Sequence, residues 1–312
     1  MYVITCLLTL AVLLAGCATH QPMSTTSFNL ATFNVRFATS ADKGELSWER
    51  RVPRMAEVVR RHRFDVFGVQ EGSSNIVAGL LRELPDFAHA GEVTSPTAEG
   101  VGIFYRRDRF RLVEKDFFWL SETPDVPGSR PKNPQWSKST KWTRAATALL
   151  LEDVTTGRRF RYVNTHLNHK GPRALKVFEL DVIFHRVIDA ALGRGECVVL
   201  TGDMNAKFPD ADTPEALRAL STDAIRQLAP TNPIARVMGS LKDASLVSET
   251  PPEGPFHTFT GWKDAPVARI DYVFVSPGVK VRRYAVLDDR IDGQLPSDHY
   301  PVMVTLDLPG GR

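Results

Sequence analysis

Six short stretches place a carboxylate, an amide or an imidazole where an apolar run ends: Asn34, Gln70-Glu71, Asn164-Thr165-His166, Gly202-Asp203-Met204-Asn205, Arg269-Ile270-Asp271-Tyr272 and Ser297-Asp298-His299. A strand end is a rigid mount for a reactive group. One polar residue there is more often a turn or a cap, but six of one kind exceed what turns require. Their types fit a single chemistry. Asn34, Glu71, Asp203, Asn205, Asp271 and Asp298 are hard oxygen donors with no clustered thiolate, a set suited to Mg²⁺, with Mn²⁺ as the alternative, rather than Zn²⁺. His166 and His299 can move protons near neutral pH. A cation facing phosphate charge, a carboxylate aligning water and an imidazole at the leaving oxygen are the parts of phosphoester hydrolysis. Two carboxylates cutting a glycosidic bond would leave two His and two Asn unexplained.

These groups need a scaffold of strands. Apolar patterning predicts strands over residues 28–37, 65–71, 101–106, 110–120, 146–154, 159–167, 197–200, 269–276, 279–287 and 300–308. It predicts helices over 51–61, with Pro53 in the first turn, and over 76–84 and 174–192, and Thr213 as the N-cap of another starting at Pro214. Hairpins mixed with helices argue for antiparallel or mixed sheets with helices outside, not a doubly wound parallel fold. Residues 121–143, rich in Pro, Ser and Lys, read as a surface excursion within one domain.

The chain of 312 residues is long enough for one large α/β core, and its formal net charge of +3 makes any basic binding surface local. Residues 3–14 are almost wholly apolar and of signal-sequence length. They lead into Leu14-Ala15-Gly16-Cys17, which resembles the bacterial lipobox, although no Lys or Arg precedes the run. That resemblance implies a signal peptide over 1–17, lipidation of Cys17, a tether over 18–27, export, and anchoring to the cell envelope, with Ala18 favouring the outer membrane. Of three cysteines only Cys197 would remain unmodified in the mature domain, so no intramolecular disulfide is expected.

In this order, Asn34, Gln70-Glu71, Asn164-Thr165-His166, Gly202-Asp203-Met204-Asn205, Asp271 and Ser297-Asp298-His299 resemble the motif set of the endonuclease/exonuclease/phosphatase superfamily over residues 28–308. Its members include DNase I-like nucleases, abasic-site endonucleases, neutral sphingomyelinases, inositol polyphosphate 5-phosphatases and poly(A) deadenylases. The resemblance implies a DNase I-like four-layer α/β sandwich: two mixed, mainly antiparallel sheets face to face, helices outside, and the site at one edge. It implies Glu71 as principal metal ligand with Asn34 beside it and Asp298 as a further carboxylate. Asp203 would orient or deprotonate water, and Asn205 would contact phosphate or metal. His299, held by Asp271, would contact the phosphate, and His166 would serve the leaving group. His166 points away from abasic-site repair and toward the phosphodiesterase and phosphatase branches. Tyr105 stands where several members place a phosphate-contacting Tyr, with core packing as the equal alternative. Arg36, Trp48, Arg51 and residues 118–124 resemble a bacterial branch of uncharacterised exported hydrolases.

Substrate signals are weaker. Arg130, Lys132, Trp136, Lys138, Lys141, Trp142 and Arg144 mix cations with indoles, a pattern for a phosphate-rich ligand or, more simply, a solvated loop with packed tryptophans. Arg144 is the best single phosphate contact among them. Lys170 and Arg173 follow His166 closely and either shape the leaving-group pocket or cap the next helix. His257 reads as structural, and Arg50, Arg54, Arg60 and Arg61 read as a solvated helix face. A small phosphoester or a lipid headgroup is favoured as substrate over duplex DNA. An extracellular nuclease and a non-catalytic binding lipoprotein are the alternatives, and oligomeric state is open.

Overall fold

The computed structural model describes residues 27–93, 99–208 and 212–310. Cys17 and all of the expected tether except Ser27 lie outside the described residues. Strand β1 is Ser27–Asn34, β2 Val66–Gln70, β3 Phe87–Val93, β4 Gly100–Arg106, β5 Phe110–Trp119 and β6 Ala145–Asp153. Then come β7 Arg159–His166, β8 Cys197–Asp203, β9 Lys242–Asp243, β10 Asp271–Val275, β11 Lys280–Val286 and β12 Val302–Asp307. One six-stranded sheet has the order β11-β12-β1-β2-β4-β3, the other β5-β6-β7-β8-β10-β9. Each is antiparallel except for one central parallel pair, β1 with β2 and β7 with β8. A parallel pair needs a crossover. Helix α1 (Trp48–Arg61) supplies it in the first sheet and α3 (Arg173–Ile183) in the second, while α2 (Ser74–Glu83) joins α1 outside the first.

Alternation along the strands sorts side chains into layers. Phe28, Leu30, Val66, Ile103, Leu149, Phe160, Val199, Val273 and Val304 meet between the sheets. Ala31, Phe33, Phe67, Val69 and Met303 face α1 and α2. Ala146, Val163, Val198 and Leu200 face α3. The fold is therefore the expected four-layer sandwich of two mixed sheets with helices outside.

Several details differ from the sequence reading. Helix α1 starts at Trp48, so Pro53 is interior rather than in the first turn, and it sits on the exposed face where a lost N–H is tolerated. Arg54 is not solvated: it is buried and bonds the carbonyl and carboxylate of Glu45. Helix α3 runs through a π turn, Phe184–Ile188, into Asp189–Gly193. Strand β3 and the short helices Thr222–Leu228 and Pro233–Met238 were not anticipated.

Candidate active site

Strand register assembles the centre. Parallel pairing sets Asn34 beside Gln70, and His166 beside Asp203. Antiparallel pairing sets Asp271 beside Asp203. The carboxyl ends of both parallel pairs face the same edge of the sandwich, where the sheets exchange polar contacts instead of apolar ones. Just past those ends, Arg36, Glu71 and Asn205 take positive φ of 54°, 61° and 45°. Non-glycine residues in this region are strained by about 1 kcal/mol or more, and here the turn redirects each side chain into the cleft. The cleft is a cavity of about 390 Å³ lined by Arg36, Phe37, Glu71, Glu99, Trp142, Arg144, His166, His169, Asp203, Asn205, Phe259, Asp298 and His299.

Each buried charge has a defined partner. The Nδ2 of Asn34 donates to Glu71 Oε1 at 3.2 Å and to Asp203 Oδ2 at 3.1 Å, while its Oδ1 accepts from Arg36 N. Asn34 thus ties two carboxylates together. The N–H of Phe37 holds Glu71 Oε2 at 3.0 Å. That loop is fastened from below by the fully buried Arg51, whose guanidinium donates to the carbonyls of Val35, Arg36 and Leu46. Asp203 Oδ1 accepts from Asn205 N at 2.8 Å. His299 Nδ1 lies 2.8 Å from Asp271 Oδ2, which also accepts from Thr258 Oγ1 at 2.6 Å. The Nδ2 of Asn205 reaches His166 Nε2 at 2.9 Å and Leu167 O at 3.0 Å, so Asn205 orients the imidazole. His166 Nδ1 lies 3.4 Å from Glu99 Oε2 and 3.2 Å from Arg144 Nη1.

Electrostatics separates these groups by task. Burial, with Asp271 beside it, pushes the Asp203 carboxyl up to about 7. Burial alone would depress His299, but the Asp271 carboxylate outweighs it and raises the imidazole to about 10. Burial and then Arg144 hold His166 well below its usual value, so it is neutral. Burial, Glu99 and Asp298 all raise Glu71. Glu71, Glu99 and Asp298 line one side of the site, and a hard divalent cation there would offset the repulsion that raises Glu71. Glu71, Glu99 and His166 present ligand atoms within 4.8 Å of one another, as do Asp203, Asp271 and His299. The donor set therefore fits the metal anticipated from sequence.

Of the anticipated residues, Asn34, Glu71, Arg144, His166, Asp203, Asn205, Asp271, Asp298 and His299 converge. Lys170 stands at the lip, its Nζ 5.3 Å from the ring centroid of Trp142. Tyr105 does not join them. It is 9% exposed in the inter-sheet core and pairs with Val66, whereas the site end of β4 is Gly100. Five residues of strand are roughly 17 Å. His257 is half-buried beside Asp212 and is not part of the cleft lining. Sequence reasoning missed Glu99 and Thr258, and it gave Arg51 only as part of a subfamily resemblance, without a role. Glu99, a carboxylate directly before an apolar strand, carried the same signal as the six stretches but at a strand's start.

The model of the Endonuclease/Exonuclease/phosphatase family matches residues 31–299. A Bacteroides thetaiotaomicron protein of that family is 30% identical, with a TM-score of 0.73 over 91% of this chain and 98% of that one. A mannosyl-6-phosphatase from Bacteroides thetaiotaomicron is 29% identical, with a TM-score of 0.73 over 89% and 99%. TDP2 from D. rerio, complexed with single strand DNA product, shares the fold at 15% identity and a TM-score of 0.64 over 90% and 99%. No curated protein matches. With its fold, its cleft and these likenesses in agreement, the chain belongs to the endonuclease/exonuclease/phosphatase family of hydrolases.

Proposed function

We propose that the chain is a Mg²⁺-dependent phosphoester hydrolase that acts on a small phosphorylated solute, with a sugar phosphate as the favoured class. The observation that carries this is the convergence of Glu71, Asp203, His299 and Arg144 on one cavity. Glu71, with Asp298 and Glu99 near it, would hold the cation, which when bound offsets phosphate charge and polarises the phosphorus. Asp203, poised near neutral pH, takes the proton of the attacking water. His299, kept protonated by Asp271, and Arg144 hold phosphoryl oxygens. His166 faces the leaving oxygen. Negative charge on a bound phosphate opposes the effects of burial and Arg144, and so restores its capacity as an acid.

One likeness favours a small solute: the mannosyl-6-phosphatase likeness at 29% identity points to sugar phosphates. On the lipid-anchor reading of Cys17 the exported protein sits on the cell envelope. A nucleic acid remains the alternative substrate, and TDP2's likeness speaks only to fold.

The test is hydrolysis by the protein lacking residues 1–17. The substrates are sugar 6-phosphates, p-nitrophenyl phosphate, bis-p-nitrophenyl phosphate, sphingomyelin and single-stranded DNA, each with Mg²⁺, Mn²⁺ or EDTA. Sugar-phosphate turnover that EDTA abolishes and Asp203→Asn lowers by roughly 10²–10⁴ is expected. Folded protein that turns over none of the panel and binds no Mg²⁺ in a calorimeter would sink the enzyme reading.

A further inference from the structure

Arg144 is committed to three side chains of the cleft. It is 5% exposed, and its guanidinium meets Glu99 Oε2 at 2.5 Å and His166 Nδ1 at 3.2 Å through Nη1, and His169 Nδ1 at 3.3 Å through Nη2. Its Nε is buried against the cavity with no hydrogen-bond partner. A buried charged N–H without an acceptor is costly, and a phosphoryl oxygen in the cavity would satisfy it. The Glu99 carboxylate that occupies Nη1 belongs at the same time to the Glu71–Glu99–His166 group, all within 4.8 Å. Glu99 therefore lies between two cationic positions, the guanidinium of Arg144 on one side and the Glu71 cation site on the other. It cannot neutralise both at full strength.

We infer that Glu99 is a latch on Arg144. With the Glu71 site empty of a cation, Glu99 engages Arg144 and blunts its affinity for phosphate. With a divalent cation at Glu71, Glu99 turns toward it, and Nη1 of Arg144 opens to an oxygen of a phosphate group. Phosphate capture is thereby coupled to metal loading through a protein residue, beyond whatever direct contact the two ligands make. Glu99 is a positioning residue here, acting through Arg144. The inference rests on the proposed phosphoester-hydrolase reading.

Calorimetric binding of inorganic phosphate, with EDTA and separately with saturating Mg²⁺, tests it. Glu99→Gln keeps the shape and removes the charge. In EDTA it should bind phosphate at least about tenfold more tightly than wild type, the factor expected from one freed charge-assisted hydrogen bond. Glu71→Gln removes the same charge from the same wall without touching Arg144, so its gain should be several-fold smaller. Adding Arg144→Met to Glu99→Gln should abolish the gain. Glu99→Ala serves as a second variant should the glutamine rebond to Arg144. An unchanged affinity in both Glu99 variants, or an equal gain in Glu71→Gln, would overturn the latch and leave only general electrostatics. Failure of wild type to bind phosphate even with Mg²⁺ would overturn the hydrolase reading and the latch with it.

Discussion

Replacing Asn164 by alanine should unfold the protein well below the temperature at which wild type melts. Asn164 is fully buried where β2, β4, β7 and β8 approach across the sandwich. Its Nδ2 donates to Val69 O at 2.9 Å and Gly102 O at 3.0 Å. Its Oδ1 accepts from Gln70 Nε2 at 2.6 Å and Thr201 Oγ1 at 3.1 Å. The facing residue is Gly68, where a Cβ would stand 2.4 Å from that oxygen, so the hub is built to the size of one amide. Alanine removes four hydrogen bonds at about 1 kcal/mol each. Gln70 keeps Thr32, and Thr201 can give its single hydroxyl proton to Tyr162 instead, which limits the loss. The expected cost is about 4 kcal/mol, or roughly 7 °C in thermal midpoint for a domain of this size. Urea unfolding followed by circular dichroism measures it. A loss below about 1 kcal/mol would refute the idea that this amide ties the sheets together under the cleft. Asn164→Asp offers a second reading: two acceptors would then face the carbonyls of Val69 and Gly102, so its deficit should grow as pH rises and the carboxyl ionises.

Glu179 predicts a pH dependence of stability separate from catalysis. Burial raises its carboxyl from the ordinary value of 4.5 to about 7, against hydrogen bonds from Asn168. A raised folded-state value means that its contribution is complete below about pH 4.5 and is lost as pH climbs through 7, on the order of 3 kcal/mol in all. Glu179→Gln can accept from Asn168 N and donate to Asn168 Oδ1, an atom with no partner, so its stability should stay flat over that window. Denaturant titrations at several pH values decide, and a slope that persists in the variant would assign it elsewhere. Tyr105→Phe should leave turnover within about twofold, because the hydroxyl is a strand's length from the cleft; a large fall in kcat would contradict the register described above.

The catalytic strand ends were legible because the sequence writes them in one dimension. A buried strand is an apolar run, and a functional group mounted on it shows as the polar residue that stops the run, as at Glu71, His166 and Asp203. The parallel and antiparallel registers then bring those ends together without further information, since each strand contributes one terminal residue to a common row. Legibility failed where position depends on which end of a strand faces the cleft. Tyr105 and Glu99 lie on or beside the same strand, β4, and patterning treats them alike. Only the antiparallel pairing with β2 sends Tyr105 to the far end and brings Glu99 to the site. It failed again for groups whose partners are distant in sequence. Arg51 was one cation among several on a helix until its carbonyl partners on the β1–α1 loop were visible, and Asn164 was one letter of a motif until four elements closed around it. Residue type and local spacing determine which chemistry a chain can carry. Which atom faces which, and therefore whether Arg144 meets Glu99 or a phosphate, is set by long-range packing that no local pattern encodes.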